Sequence, residues 1–167
     1  MERTQKQIRN RLYFFMAALF VSGLTAMPVQ REINFLYKWT EDIHFIQPWM
    51  QQLHEGINTT AANYPFLFYG YDWLAFAHFM LAIVFIGPIK DPGKNIWVIQ
   101  FGIIACVLII PFTQVAGSLR GIPFWWRMVD CSFGVIGIFP LMICYRKIKQ
   151  LETSLTKSIN HENSYSF

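Results

Sequence analysis

Charge is scarce in this sequence. Only 14% of its 167 residues are Asp, Glu, Lys or Arg, against about 25% in an average soluble domain. A folded chain of this size needs charge to cover its surface in water, so the deficit speaks against a soluble globule. Cysteine is scarce as well. Cys106, Cys131 and Cys144 all lie in apolar stretches, and no C-x-x-C pair occurs. An odd number without paired spacing argues against a disulfide framework or a cysteine zinc site. Thiols in such surroundings act as small hydrophobes. His44, Met50, His54 and His78 lack any diagnostic ligand spacing, so no metal centre is expected. There is no phosphate loop, no nucleophile elbow and no internal repeat. Outside the apolar runs no basic stretch interleaves with aromatics, which leaves nucleic acid without support as a partner.

What the chain does have is apolar length. Hydrophobic residues make up 54% and aromatics 17%. A bilayer core takes about 20 mostly apolar residues per helix. Four stretches qualify: 12–29, 66–86, 96–115 and 128–145. The expected fold is all-α, an integral membrane four-helix bundle occupying residues 1–150. Residues 30–65 form an extracytoplasmic amphipathic helical segment between helices 1 and 2, and residues 151–167 form a loose polar cytoplasmic tail.

Lys and Arg set the orientation. The N-terminal tail, the 88–95 turn and the C-terminal tail share one side and hold ten; Arg31, Lys38, Arg120 and Arg127 are the four on the other. The excess places both termini in the cytoplasm, and the expected setting is a bacterial inner membrane. One alternative is a signal peptide cleaved after Ala26. A long apolar run and the bulky Leu24 two residues before the cut favour a retained helix.

In the outer segment, Ile33, Leu36, Tyr37, Thr40 and His44 follow helical spacing. Pro48 suits the first turn of a second helix. With Trp39 and Trp49 these read as helices along the membrane surface that lid the bundle. Asn58-Thr59-Thr60 matches a glycosylation sequon, informative only in a eukaryotic secretory setting.

Ionisable residues inside membrane helices are costly and draw attention as functional candidates. Asp72 and His78 lie on the second span and Asp130 on the fourth. Small and polar residues form stripes at helical spacing: Ala18, Ser22 and Thr25; Tyr71, Ala75, His78 and Ala82; Gly102, Cys106, Ile109 and Thr113; Asp130, Gly134, Gly137, Leu141 and Cys144. Such stripes permit close helix approach. Asp72, Gln114, Arg120, Arg127 and Asp130 all fall toward the outer side, with Trp125 and Trp126 in the loop beside them. They make either structural ion pairs at helix ends or an outward-facing polar pocket floored by His78.

Three functions are compatible with these residues. The first is non-catalytic binding of a small apolar ligand, a lipid or a partner subunit through that pocket, the partner being another membrane protein or a second copy of the chain. The second is a haem-binding or redox protein with His78 as axial ligand. The third is a membrane enzyme or proton-coupled carrier using Asp72, His78 and Asp130. No nucleophile or metal set supports an enzyme, and four helices without an inverted repeat are few for a carrier.

Overall fold

The computed structural model describes residues 2–163, with side chains for 3–154. Among the described residues the structure is all helical. The elements are α1 (Glu2–Ala26), α2 (Val29–Trp39), α3 (Gln47–Asn63), a 3-10 turn (Pro65–Phe68), α4 (Tyr69–Val84), α5 (Ile86–Lys90), α6 (Ile96–Leu119) and α7 (Phe124–Asn163). Three helical stretches are long and apolar enough to cross a membrane: Pro65–Lys90, Ile96–Leu119 and Phe124–Ser154. A fourth arises only if Arg3–Ala26 and Val29–Trp39 count as one broken span, bent by 89°.

That bend corrects the first expected span. Pro28 lacks an N–H and sits between the two helices as the N-cap of α2. The apolar part of α1 therefore stops at Ala26 instead of running to Val29. Its 15 residues from Leu12 reach roughly 22 Å, against a hydrocarbon core of about 30 Å.

The chain forms two compact units. One holds the residues up to Met16 and from Val84 onward; the other holds Ala17–Ile83.

In the first unit α6 and α7 run antiparallel, and their small-residue stripes meet. Gly134 faces Cys106 and Ile109, Gly137 faces Cys106 Sγ, and Gly102 faces Leu141. A Cβ on Gly134 would overlap the Cys106 carbonyl oxygen and Ile109 Cγ2. The backbones approach that closely only because the side chain is absent. α7 also packs against the start of α1, at Cys144 on Ile8 and Gly137 on Phe15. Ile8, Leu12 and Cys144 are wholly buried, and Phe15 stacks at a tilt on Phe85, centroids 4.8 Å apart.

The turns of this unit follow from their residues. Ile122 N–H donates to the Gly117 carbonyl at 2.9 Å and Gly121 N–H to Ser118 at 3.2 Å, the double bond of a Schellman cap. Gly121 takes φ +69°, which favours glycine. The connection is so tight that Trp125, Trp126 and Arg127 belong to the first turn of α7, not to a loop. Between α5 and α6, Asn95 Nδ2 donates to the carbonyls of Gly87 and Asp91 at 3.2 and 3.0 Å. Asp91 Oδ1 accepts the Lys94 backbone N–H at 3.1 Å, and this bond holds the Asp91 carboxyl below its ordinary value. Its contribution is present above the usual carboxylate pKa and is lost as pH falls through the lowered one.

From Leu151 the expected loose tail is instead helix as far as Asn163, where α7 ends. No glycine or proline follows Pro140 within α7 to stop it, and Lys149 pairs with Glu152 at 2.9 Å, three residues on. Residues 164–167 lie outside the described part.

In the second unit α2 and α3 form an antiparallel hairpin held by amides. Asn58 Oδ1 accepts from Gln30 Nε2 at 2.9 Å and from Asn34 Nδ2 at 3.4 Å, and Asn58 Nδ2 donates to Asn34 Oδ1 at 2.9 Å. The Tyr37 and His54 rings stack 4.3 Å apart. Ile33, Thr40 and Met50 are buried, while Phe35 and Trp39 face outward. Pro48 lies in the first turn of α3, as its position suggests. Asn58 of the sequon is thus a packed hairpin residue.

Also in this unit, the end of α1 rests on α4 at Gly23, where a Cβ would lie 2.9 Å from the Ala75 carbonyl oxygen. The α1 stripe read from Ala18, Ser22 and Thr25 is exposed. A hydroxyl on a helix can satisfy itself on its own backbone, as Thr25 does on the Ser22 carbonyl at 3.1 Å, so polarity does not mark the packed face.

The seam carries a direct test. Gly134→Leu should cost about 1–3 kcal/mol or more by overpacking and lower the thermal midpoint in detergent. Val135→Leu, at an exposed position, should stay within about 0.5 kcal/mol. Equal midpoints for the two variants would refute the seam.

Candidate polar site between α6 and α7

The seam between α6 and α7 is apolar along most of its length and turns polar at one end. Five polar residues from the last two turns of α6 and the first two of α7 converge there. Arg127 Nη1 donates to the Gln114 carbonyl at 3.2 Å and also to Ser118 Oγ. Its aliphatic stem lies across Gly117, where any Cβ would collide with Cγ and Cδ. Its guanidinium stands over the Phe124 ring, 5.5 Å from the centroid. One turn deeper, Thr113 Oγ1 and Cys131 Sγ are 3.0 Å apart, and Gln114 Nε2 donates to the same sulfur at 3.3 Å.

The charge arrangement is uneven. All acceptors of Arg127 are neutral, and its buried Nε has no acceptor among the described residues. The ion pairs among the described residues are Asp91–Lys94 and Lys149–Glu152. Arg127, Arg120 and Asp130 take part in neither. Asp130 is half-buried and Arg120 is exposed as the C-cap of α6. Gln114 and Arg127 therefore come together, while Arg127 turns its Nη1 to neutral acceptors on α6 and leaves Asp130 aside.

Asp72 and His78 belong to the other unit, on α4. Asp72 is exposed in the first turn of that helix. His78 is half-buried beside Ala75 and Gly23, and its Nδ1 is 2.8 Å from the Leu74 carbonyl on its own helix. A carbonyl only accepts, so Nδ1 is the donor in this bond, which leaves Nε2 facing away from it. Among the described residues no group of three or more His, Cys, Asp or Glu gathers to hold a metal ion.

No family model, no curated protein and no solved structure matches the chain. Its chemistry has to be read from the residues alone.

Two features escaped the sequence reading. Cys131 reads as an inert hydrophobe, yet its sulfur is the meeting point of Thr113 and Gln114. Ser118 looks like a helix-end residue, yet it anchors Arg127. The available signal was the antiparallel register: once Gly134 faces Ile109, Cys131 must fall opposite Thr113 and Arg127 opposite Gly117.

These contacts predict how the charges couple. Arg127→Gln should cost about 1–2 kcal/mol through its lost bonds to α6. Asp130→Asn should add to it within about 0.5 kcal/mol, as expected for side chains that share no partner. Thermal melts of the two single variants and the double variant measure this. Recovery of stability in the double variant would mean that the two residues form an ion pair after all.

Proposed function

We propose that this chain is a non-catalytic integral membrane protein that binds an apolar ligand carrying an anionic group. The reading has four spans with both termini cytoplasmic, in a bacterial inner membrane, and α2–α3 on the outer side. Its support is the three or four helices of spanning length and the Lys/Arg bias of ten against four. The short apolar part of α1 crosses with Lys6, Arg9 and Arg11 extended toward the headgroups.

One observation carries the binding role. Arg127 holds a half-buried positive charge whose protein acceptors are all neutral, at the end of the α6–α7 seam that this orientation turns outward. An unpaired cation near hydrocarbon is costly, and an incoming carboxylate or phosphate would offset it through charge-assisted hydrogen bonds. The adjoining Phe124 ring and the apolar faces of α6 and α7 suit the rest of such a ligand. Gln114 and Asp130, on the same two helices, and Arg120, at the α6 C-cap, then tune the pocket rim.

His78 supports a second reading as a haem ligand, because its Nδ1 is engaged by the Leu74 carbonyl and Nε2 is the ring nitrogen left to coordinate iron. A Soret band in the detergent-purified protein that shifts with dithionite would favour haem over the pocket.

Topology is tested by reporter fusions after Arg146 and within residues 58–63, which should report opposite sides of the membrane; matching sides would refute it. Binding is tested by thermal shift in detergent. Decanoate should raise the midpoint and decanol should not, and Arg127→Gln should abolish the difference. Gly117→Ala, which displaces the Arg127 stem without removing charge, should weaken it. Equal shifts from decanoate and decanol would overturn the anionic pocket.

A further inference from the structure

A second feature lies in the same unit at the opposite end of α7, where it runs antiparallel to the start of α1. Ile8 sits against Cys144, whose Sγ donates to the Ile8 carbonyl at 3.7 Å, and Phe15 meets Gly137. Beside this packed seam runs an open groove of about 600 Å³ between the two helices.

The walls of the groove differ along its length. On α1 they are Asn10, Arg11 and Phe14; on α7 they are Ile136, Phe139 and Ile143. Each set falls on one helical face. The register of the seam places Arg11 level with residue 141 and Phe14 level with residue 138. The groove therefore begins at a guanidinium and an amide and continues between Phe14, Phe139 and Ile136, which are 65%, 64% and 61% exposed. Arg11 is the last charge before the apolar run of α1, and Arg146 is the first after that of α7.

Charge here is one-sided. Arg11 has no hydrogen bond or ion pair among the described residues, and Lys147 binds only the neutral Gln7 Oε1, which also lines the groove. Lys6, Arg9 and Arg146 are exposed on the same two helices. A groove opening sideways at hydrocarbon depth is filled by acyl chain, and its polar end then selects the headgroup. A basic pocket between spanning helices on the cytoplasmic side suits an acidic lipid.

We propose that this groove is a binding site for one anionic phospholipid of the inner leaflet. Its phosphate is held by Arg11 and Asn10, with Lys147 adding positive charge, and one acyl chain lies against Phe14, Ile136 and Phe139. The site rests on the membrane placement above, which the fusions test separately; it is independent of the Arg127 pocket.

Native mass spectrometry of the full chain in detergent tests it, with phosphatidylglycerol and phosphatidylcholine of identical acyl chains added in turn. The wild type should retain one phosphatidylglycerol in preference to phosphatidylcholine. Arg11→Gln should lower phosphatidylglycerol retention about fivefold, and Arg9→Gln, the same charge change off the groove, should leave it nearly intact. Ile143→Trp keeps every charge and fills the groove, so it should block the lipid even if Arg11→Gln proves unstable. Equal retention of the two lipids, equal losses in Arg9→Gln and Arg11→Gln, undiminished binding in Ile143→Trp, or a lipid-free dimer would each overturn the proposal.

Discussion

The close approach of α6 and α7 at Gly134 is the constraint on which the first unit depends. With the Cys106 carbonyl and Ile109 Cγ2 occupying the place a Cβ would take, the two backbones are locked in one register. That register sets Cys131 beside Thr113 and Gln114, and it lays Arg127 across Gly117. A shift of one residue would rotate Gly134 away and drive a larger side chain into the contact. The polar cluster is thus a consequence of apolar packing. The Schellman cap at Gly121 keeps the connection short enough for both helices to meet at that end.

The same helix, α7, serves two seams. It meets α6 through Gly134 and Leu141, and the start of α1 through Gly137 and Cys144. Both seams run antiparallel and are packed at their centres by glycines and apolar side chains, with the clustered polar groups of the described residues toward their ends. In the proposed membrane setting this division has a physical cause. Hydrocarbon penalises an unsatisfied polar group at depth, whereas lipid headgroups or ligands can satisfy one near the edges. The two cations whose needs the protein leaves unmet, Arg127 and Arg11, stand at such edges.

The hairpin α2–α3 follows a different logic. Its contact is made by amides, Gln30, Asn34 and Asn58, rather than by glycines. Amides satisfy one another and leave no charge to neutralise. The same engagement makes Asn58 a poor glycan acceptor, since modification would break the cluster.

Composition, hydropathy and small-residue spacing determined the helical class, the apolar runs and the packed faces of α6 and α7, because these depend only on which residues recur every third or fourth position. The sequence could also mark Gln114 and Arg127 as polar groups at one end of the apolar runs. Tertiary structure alone decided which of them meet: Arg127 turns to the neutral acceptors of α6 and not to Asp130, because a helix register fixes distances that proximity along the chain does not. It likewise decided that α1 ends at Ala26 with an 89° turn, that Gly23 and not Ser22 marks its contact with α4, and that Arg11, in what reads as an ordinary basic tail, borders a groove. A groove belongs to two helices at once, and no single stretch of sequence carries it.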